Sequence, residues 1–150
     1  MGGLFKCAGG PIAWFAKFQK SLALSSSESE YYGLTAAAIQ AIHIQQLCGE
    51  LGIYSDEPML IYEDNKAAIK MSENSSNSKR TIHLDRRAHF IRAQVNQKVL
   101  QLEYCPTKEM EADAMTKMLP RPAFEYLRER IGLTYEHAVG LAPRVKDIGA

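Results

Sequence analysis

Leu60-Ile61-Tyr62-Glu63-Asp64-Asn65-Lys66-Ala67-Ala68-Ile69 is the stretch from which the fold is read. Three apolar or aromatic residues in series, announced by Pro58, predict a buried strand. Two acids and an asparagine close it. Lys66-Ala67-Ala68-Ile69-Lys70-Met71 then reads as a helix, which Asp64 or Asn65 caps by accepting a backbone N–H. A carboxylate at the C-terminal end of a central strand sits where open α/β sheets place their ligands. Asp64 is thus a cap or a functional acid, and spacing alone leaves both open.

Upstream, Leu4-Phe5-Lys6-Cys7-Ala8 and Ile12-Ala13-Trp14-Phe15-Ala16 flank the turn signal Gly9-Gly10-Pro11, so a hairpin is expected, with Trp14 in the core. Leu22-Ala23-Leu24 resumes the apolar character after a polar interruption. No Asp or Glu occurs before Glu28. Ser25 with Glu28, and Ser27 with Glu30, both fit a capping box. The helix they open is expected to run to about Leu51 and stop at Gly52. Tyr31, Leu34, Ala38, Ala41, Ile42, Cys48 and Leu51 share one stripe of it, at about 100° per residue. Glu30 falls on that apolar stripe and Glu28 does not. The capping box accounts for Glu30; the functional alternative is that it reaches across to the strand carrying Asp64.

Downstream, a polar loop over residues 73–78 precedes a helix starting near Thr81, whose apolar face is Leu84, Ala88, Ile91 and Val95. Its other faces are basic. Lys79, Arg80, Arg86, Arg87, Arg92 and Lys98 are accompanied by a single acid, Asp85, while His83 and His89 can charge beside a phosphate. A charged helix face is usually only solvated, but the shortage of acids points to an anionic partner. Val99 to Cys105 reads as a strand. Lys108 to Lys117 reads as a short helix carrying Glu109, Glu111 and Asp113, the last set among Ala112, Ala114 and Met115. Pro122 opens a final helix that buries Phe124, Leu127 and Ile131 and stops at Gly132. Residues 1–133 form the expected domain, and residues 134–150 read as a loose tail.

The 150 residues suit one domain with a sizeable core, and the net charge of +1 leaves any basic surface to local clustering. Three cysteines, Cys7, Cys48 and Cys105, stand in no metal-ligand spacing and suggest reduced thiols. No apolar run approaches the length of a membrane span, and no secretory signal opens the chain. The expectation is an intracellular protein, in the cytoplasm or the nucleus.

Glu30, Asp64 and Asp113 lie on three different elements. Magnesium takes a few carboxylates plus water and substrate phosphate. Two such ions, about 3.5–4 Å apart, promote phosphodiester hydrolysis. A basic helix beside them would hold a nucleic-acid backbone. On pattern alone, a metal-dependent nuclease is one option among several.

Ser25-Ser26-Ser27-Glu28-Ser29-Glu30-Tyr31-Tyr32-Gly33-Leu34 resembles the helix opening in the ribonuclease H domain of copia-type retrotransposon Pol polyproteins. In the same order, residues 61–69, His83-Leu84-Asp85-Arg86-Arg87-Ala88-His89-Phe90-Ile91-Arg92, and Ala112-Asp113-Ala114-Met115-Thr116-Lys117 resemble that domain too, as does Leu119-Pro120-Arg121-Pro122 with the helix after it. The resemblance covers roughly residues 3–133. It implies an α/β fold, a five-stranded mixed sheet with helices on both faces. It also implies cleavage of RNA in an RNA–DNA hybrid with two Mg2+ ions, next to the reverse transcriptase region of a parent polyprotein. Glu30, Asp64 and Asp113 match three of the family's four metal-binding acids. Lys79, Arg80, Arg86, His89 and Arg92 would then track the hybrid backbone, with groove shape and the 2′-OH recognised rather than base sequence.

The family's fourth acid is an aspartate on a first strand ahead of the glycine-rich hairpin, and residues 1–27 contain no acid. The expectation is therefore a sheet without its first strand, weak metal binding, and cleavage slow or absent unless another chain supplies that strand. The alternative is a non-catalytic remnant, or a domesticated module that binds nucleic acid or protein.

Overall fold

The structure, a computed structural model, describes residues 1–17, 26–53, 55–73 and 82–133, without the side chains of residues 26–28, 30, 71, 73 and 82–85. The serine capping boxes, Leu22 to Leu24, the Leu84 side chain and residues 134–150 lie outside what is described. The architecture is mixed α/β. Strands β1 (Gly2–Cys7) and β2 (Gly10–Ala16) lead to helix α1 (Ser26–Glu50), strand β3 (Met59–Glu63), and helices α2 (Lys66–Glu73) and α3 (Ile82–Asn96). Strand β4 (Leu100–Tyr104), two 3₁₀ turns (Thr107–Glu109 and Glu111–Met115) and helix α4 (Arg121–Ile131) follow.

The strands do not form one sheet. β1 pairs antiparallel with β2, β3 pairs parallel with β4, and the two ribbons are separate among the described residues. Among the described residues each ribbon therefore keeps unpaired edges. The parallel pair runs in register from Met59 opposite Leu100 to Glu63 opposite Tyr104, the crossover passing through α2 and α3.

The hairpin turn differs from the expected Gly-Gly-Pro corner. Ala8 (φ 50°) and Gly9 (φ 83°) are both left-handed, the conformation a two-residue type I′ turn requires. Pro11 instead lies within β2, opposite Lys6, just past an irregularity in the register. That is where a strand tolerates a residue without an N–H.

Helix α1 is the centre of the core. Its Tyr31, Leu34, Ala38 and Ala41 are buried and meet Ile61 of β3, Ala68 of α2, Ala88 and Ile91 of α3, and Leu100 of β4, with Phe5 of β1 at the margin. The apolar stripe read from the sequence is thus the buried one over its first four turns, but it ends early. Leu51 is exposed because α1 stops at Glu50 and the chain turns at Gly52 (φ 77°). There the Gly52 and Ile53 amides bond back to the Gly49 and Cys48 carbonyls, a helix ending that glycine suits.

Three burial expectations are corrected. β3 alternates instead of being buried throughout: Ile61 faces the core while Leu60 and Tyr62 face outward, because no second layer covers that face among the described residues. Trp14 is 67% exposed, on the outer side of the hairpin opposite Leu4. Phe124 is exposed, and α4 buries only Leu127 and Ile131.

Candidate functional site

Asn65, not Asp64, caps α2. Its Oδ1 accepts from the Ala67 N–H at 2.7 Å and the Ala68 N–H at 3.3 Å. Asp64 is thereby released from helix duty and stands half-buried at the C-terminal end of β3. Its Oδ2 accepts from the Thr107 hydroxyl at 3.1 Å, the first residue after Pro106 ends the β4 segment. The parallel ladder continues into this corner, since the Cys105 amide donates to the Glu63 carbonyl at 3.0 Å.

The region expected to be one short helix from Lys108 to Lys117 is two 3₁₀ turns broken at Met110, whose backbone is extended (φ −71°, ψ 95°). The break places three acids in a strip. Asp113 is buried, 8% exposed, and its Oδ2 receives the Lys117 ammonium at 2.8 Å. Glu111 is gripped by Lys6 of β1 at 3.0 Å and by Arg130 of α4 at 3.4 Å. Arg130 also reaches Glu109 at 3.4 Å and the Tyr126 hydroxyl at 3.2 Å, while Lys6 donates to the Arg130 carbonyl at 2.7 Å. The Tyr126 hydrogen bond is the main reason the Arg130 guanidinium holds its proton more firmly than usual. Burial, followed by the Glu109 charge, pushes the Cys105 thiol up, and Asp64 and Glu111 add to the effect.

Among the described residues, no three His, Cys, Asp or Glu side chains are grouped so as to hold a metal ion. Asp64 is engaged by Thr107 and Asp113 by Lys117, and the Glu30 side chain lies outside the described residues. The described donors, Asp64 and Asp113, do not fit a two-cation centre.

The expected nucleic-acid residues separate. Lys79 and Arg80 lie outside the described residues. Arg86 and His89 are exposed on α3. Arg87 is stacked on Tyr32 of α1, its guanidinium carbon 3.9 Å from the ring centre. Arg92 turns inward: its Nε is enclosed and its charge is felt by the Tyr31 hydroxyl. Arg86 and Arg87, with Tyr32, Thr35, Ile39 and Phe90, line an open hollow of about 300 Å3 between α1 and α3.

Several partners of the acids were not foreseen. The Asp113–Lys117 pair is spaced i, i+4 and was legible in principle. Lys6 and Arg130 lie 105 and 19 residues from Glu111, and no local pattern announces such pairs.

Comparison with known proteins supplies the context. The chain is 39% identical over 132 residues to the "Retrovirus-related Pol polyprotein from transposon TNT 1-94" of Nicotiana tabacum, covering 88% of this chain. It is 36% identical over 124 and 123 residues to the corresponding polyproteins from transposons RE1 and RE2 of Arabidopsis thaliana. The chain is homologous to one segment of retrovirus-related Pol polyproteins. It spans about a tenth of these relatives, 10% of the first and 8% of the others. No family model and no solved structure matches it. No helix of the described residues is long and apolar enough to cross a membrane.

Proposed function

We propose that the chain is the ribonuclease H-type region of a retrotransposon Pol polyprotein, and that its ligand is an RNA–DNA hybrid. The observation that carries this reading is Asp64, a carboxylate excused from capping and held at the C-terminal end of a parallel strand. That is where α/β sheets present functional groups. Two ribbons resting on one central helix, an antiparallel hairpin and a parallel pair, support this reading. The exposed Arg86 and His89 of α3 offer phosphate contacts. In the parent polyprotein the region would act beside the reverse transcriptase.

A second reading, a hybrid-binding remnant without turnover, is favoured by one specific observation: Asp113 already carries the Lys117 ammonium. Incubating excess protein with an RNA–DNA hybrid labelled on the RNA strand, in Mg2+, separates the two. RNA-strand cleavage that disappears in Asp64→Asn supports the enzyme. Retained hybrid binding with an intact RNA strand supports the remnant. Failure to bind hybrid at all rejects both.

A further inference from the structure

Helices α1 and α3 meet along one open hollow of about 300 Å3, at the small end of ligand pockets. Helix α1 contributes Tyr32, Thr35 and Ile39, spaced so that they share a face, and α3 contributes Arg86, Arg87 and Phe90. Thr35 is buried and its hydroxyl donates to the Tyr31 carbonyl at 2.8 Å, so it is already spent. Phe90 is held by the core it packs against, while Ile39 is 56% exposed. The Arg87 guanidinium carbon sits 3.9 Å from the centre of the Tyr32 ring, close enough for the two planar groups to stack. An arginine stacked in this way still presents N–H donors to an anion. The lining thus holds two cations and, among the described residues, no carboxylate. An exposed Ile or a basic helix face means little alone. Here two aromatic rings, a seated guanidinium and a second arginine converge on one concave place.

We propose that this hollow takes one unpaired nucleotide of a single strand, its base stacking on the Arg87–Tyr32 pair and Phe90 and its phosphate meeting Arg86. The charge of the lining selects an anion, and the rings with the guanidinium select one that carries a flat π-face. A nucleotide has both. An acidic peptide has the charge, but its carboxylates leave Tyr32, Ile39 and Phe90 without an apolar partner. Every base has a π-face, so the hollow tolerates any sequence. The inference goes beyond the hybrid reading. Bases inside a hybrid are paired and stacked on one another, and phosphate contacts position a duplex without touching them. Single-strand binding and hybrid binding can therefore fail separately.

The test is fluorescence anisotropy of the intact chain with a labelled oligothymidylate of about eight nucleotides. Beside it runs a strand of the same length built only of abasic units, which keeps every phosphate. The natural chain is expected to bind the strand with bases about tenfold more tightly, the low end of what one stacked base contributes. Tyr32→Leu removes the ring and the seat of Arg87, and should bring the two strands to equal affinity. Tyr32→Phe, which keeps the ring, should match the natural chain. Ile39→Glu sets a carboxylate in the hollow at an exposed position and should weaken both strands, which keeps the test decisive if Tyr32→Leu does not fold. Equal affinity of the natural chain for the two strands overturns the inference, as does a base preference that survives Tyr32→Leu or binding untouched by Ile39→Glu. A glutamate-rich peptide bound in preference to the thymidylate strand also overturns it and gives the hollow to a protein partner. Hybrid binding without base preference overturns the inference and leaves the ribonuclease H-type reading standing. Base preference without hybrid binding upholds the inference and rejects that reading.

Discussion

Thr107 donates its hydroxyl to Asp64, Oγ1 to Oδ2 at 3.1 Å, across 43 residues of sequence. The bond joins the end of one parallel strand to the first turn after its neighbour, and it fixes where the Asp64 carboxylate points. Removing the donor while keeping the shape, as in Thr107→Val, should cost about 1 kcal/mol of folding stability in urea denaturation. Asp64→Asn retains an acceptor oxygen and should cost less than Asp64→Ala. A loss in Asp64→Asn as large as in Asp64→Ala would mean the hydrogen bond is not what holds this corner.

That corner also shows what the sequence could and could not reveal. Strand–acid–asparagine–helix was legible, because Asn65 and the Lys66–Glu73 helix obey local rules of capping and propensity. Which of the two residues capped was not, since Asp and Asn cap equally well, and Asp64 is instead engaged by Thr107, far away in the chain. Burial was misread at Trp14, Tyr62 and Phe124 for a related reason. An apolar residue on a ribbon is core or surface according to whether another layer covers that face, and no local pattern states this. Helix α1 was readable almost whole, because its stripe is long and periodic and Gly52 ends it.

The clamp of Lys6, Glu111 and Arg130 ties the N-terminal hairpin to α4 and the 3₁₀ segment. Lys6 is part-exposed, so its ion pair is screened. Its bond to the Arg130 carbonyl adds a second attachment. Lys6→Met should therefore destabilise by about 1 kcal/mol, with faster amide exchange in α4 than in α1. Uniform exchange across both helices would show that the clamp does not act locally.

Tyr31 is fully buried, and its hydroxyl has no hydrogen-bond partner among the described residues. Burial pushes its ionisation up, an effect Arg92 opposes and Glu63 assists. Since the folded protein holds this proton more tightly than the unfolded chain, the sign follows. Stability is full below the pKa of an unfolded tyrosine and is lost as pH rises from there through the raised folded value. Tyr31→Phe removes both the unsatisfied hydroxyl and the titration. It should gain about 1 kcal/mol at neutral pH and hold its stability further into alkali, as melts at rising pH would record. A large loss at neutral pH would mean the hydroxyl is satisfied in solution.

Helices α1, α3 and α4 end alike, with a residue one or two positions past the helix in the left-handed region and amides bonding back across the last turn. At Gly52 and Gly132 (φ 93°) a glycine fills the position, but after α3 it is Lys98 (φ 57°). A side chain costs about 1 kcal/mol in that conformation. Lys98→Gly should therefore raise stability in urea by about that amount, against the general tendency of glycine to weaken a fold. Destabilisation would show that Lys98 contributes contacts outweighing the strain.

The claim shared by both functional readings is that this chain engages an RNA–DNA hybrid through phosphate contacts from α3. Fluorescence anisotropy with a labelled hybrid, repeated over a series of salt concentrations, tests it most directly. The account predicts log affinity falling linearly with log salt, with a slope reduced by about one when Arg86 becomes alanine. Binding that ignores salt, or a slope unchanged in Arg86→Ala, would contradict it.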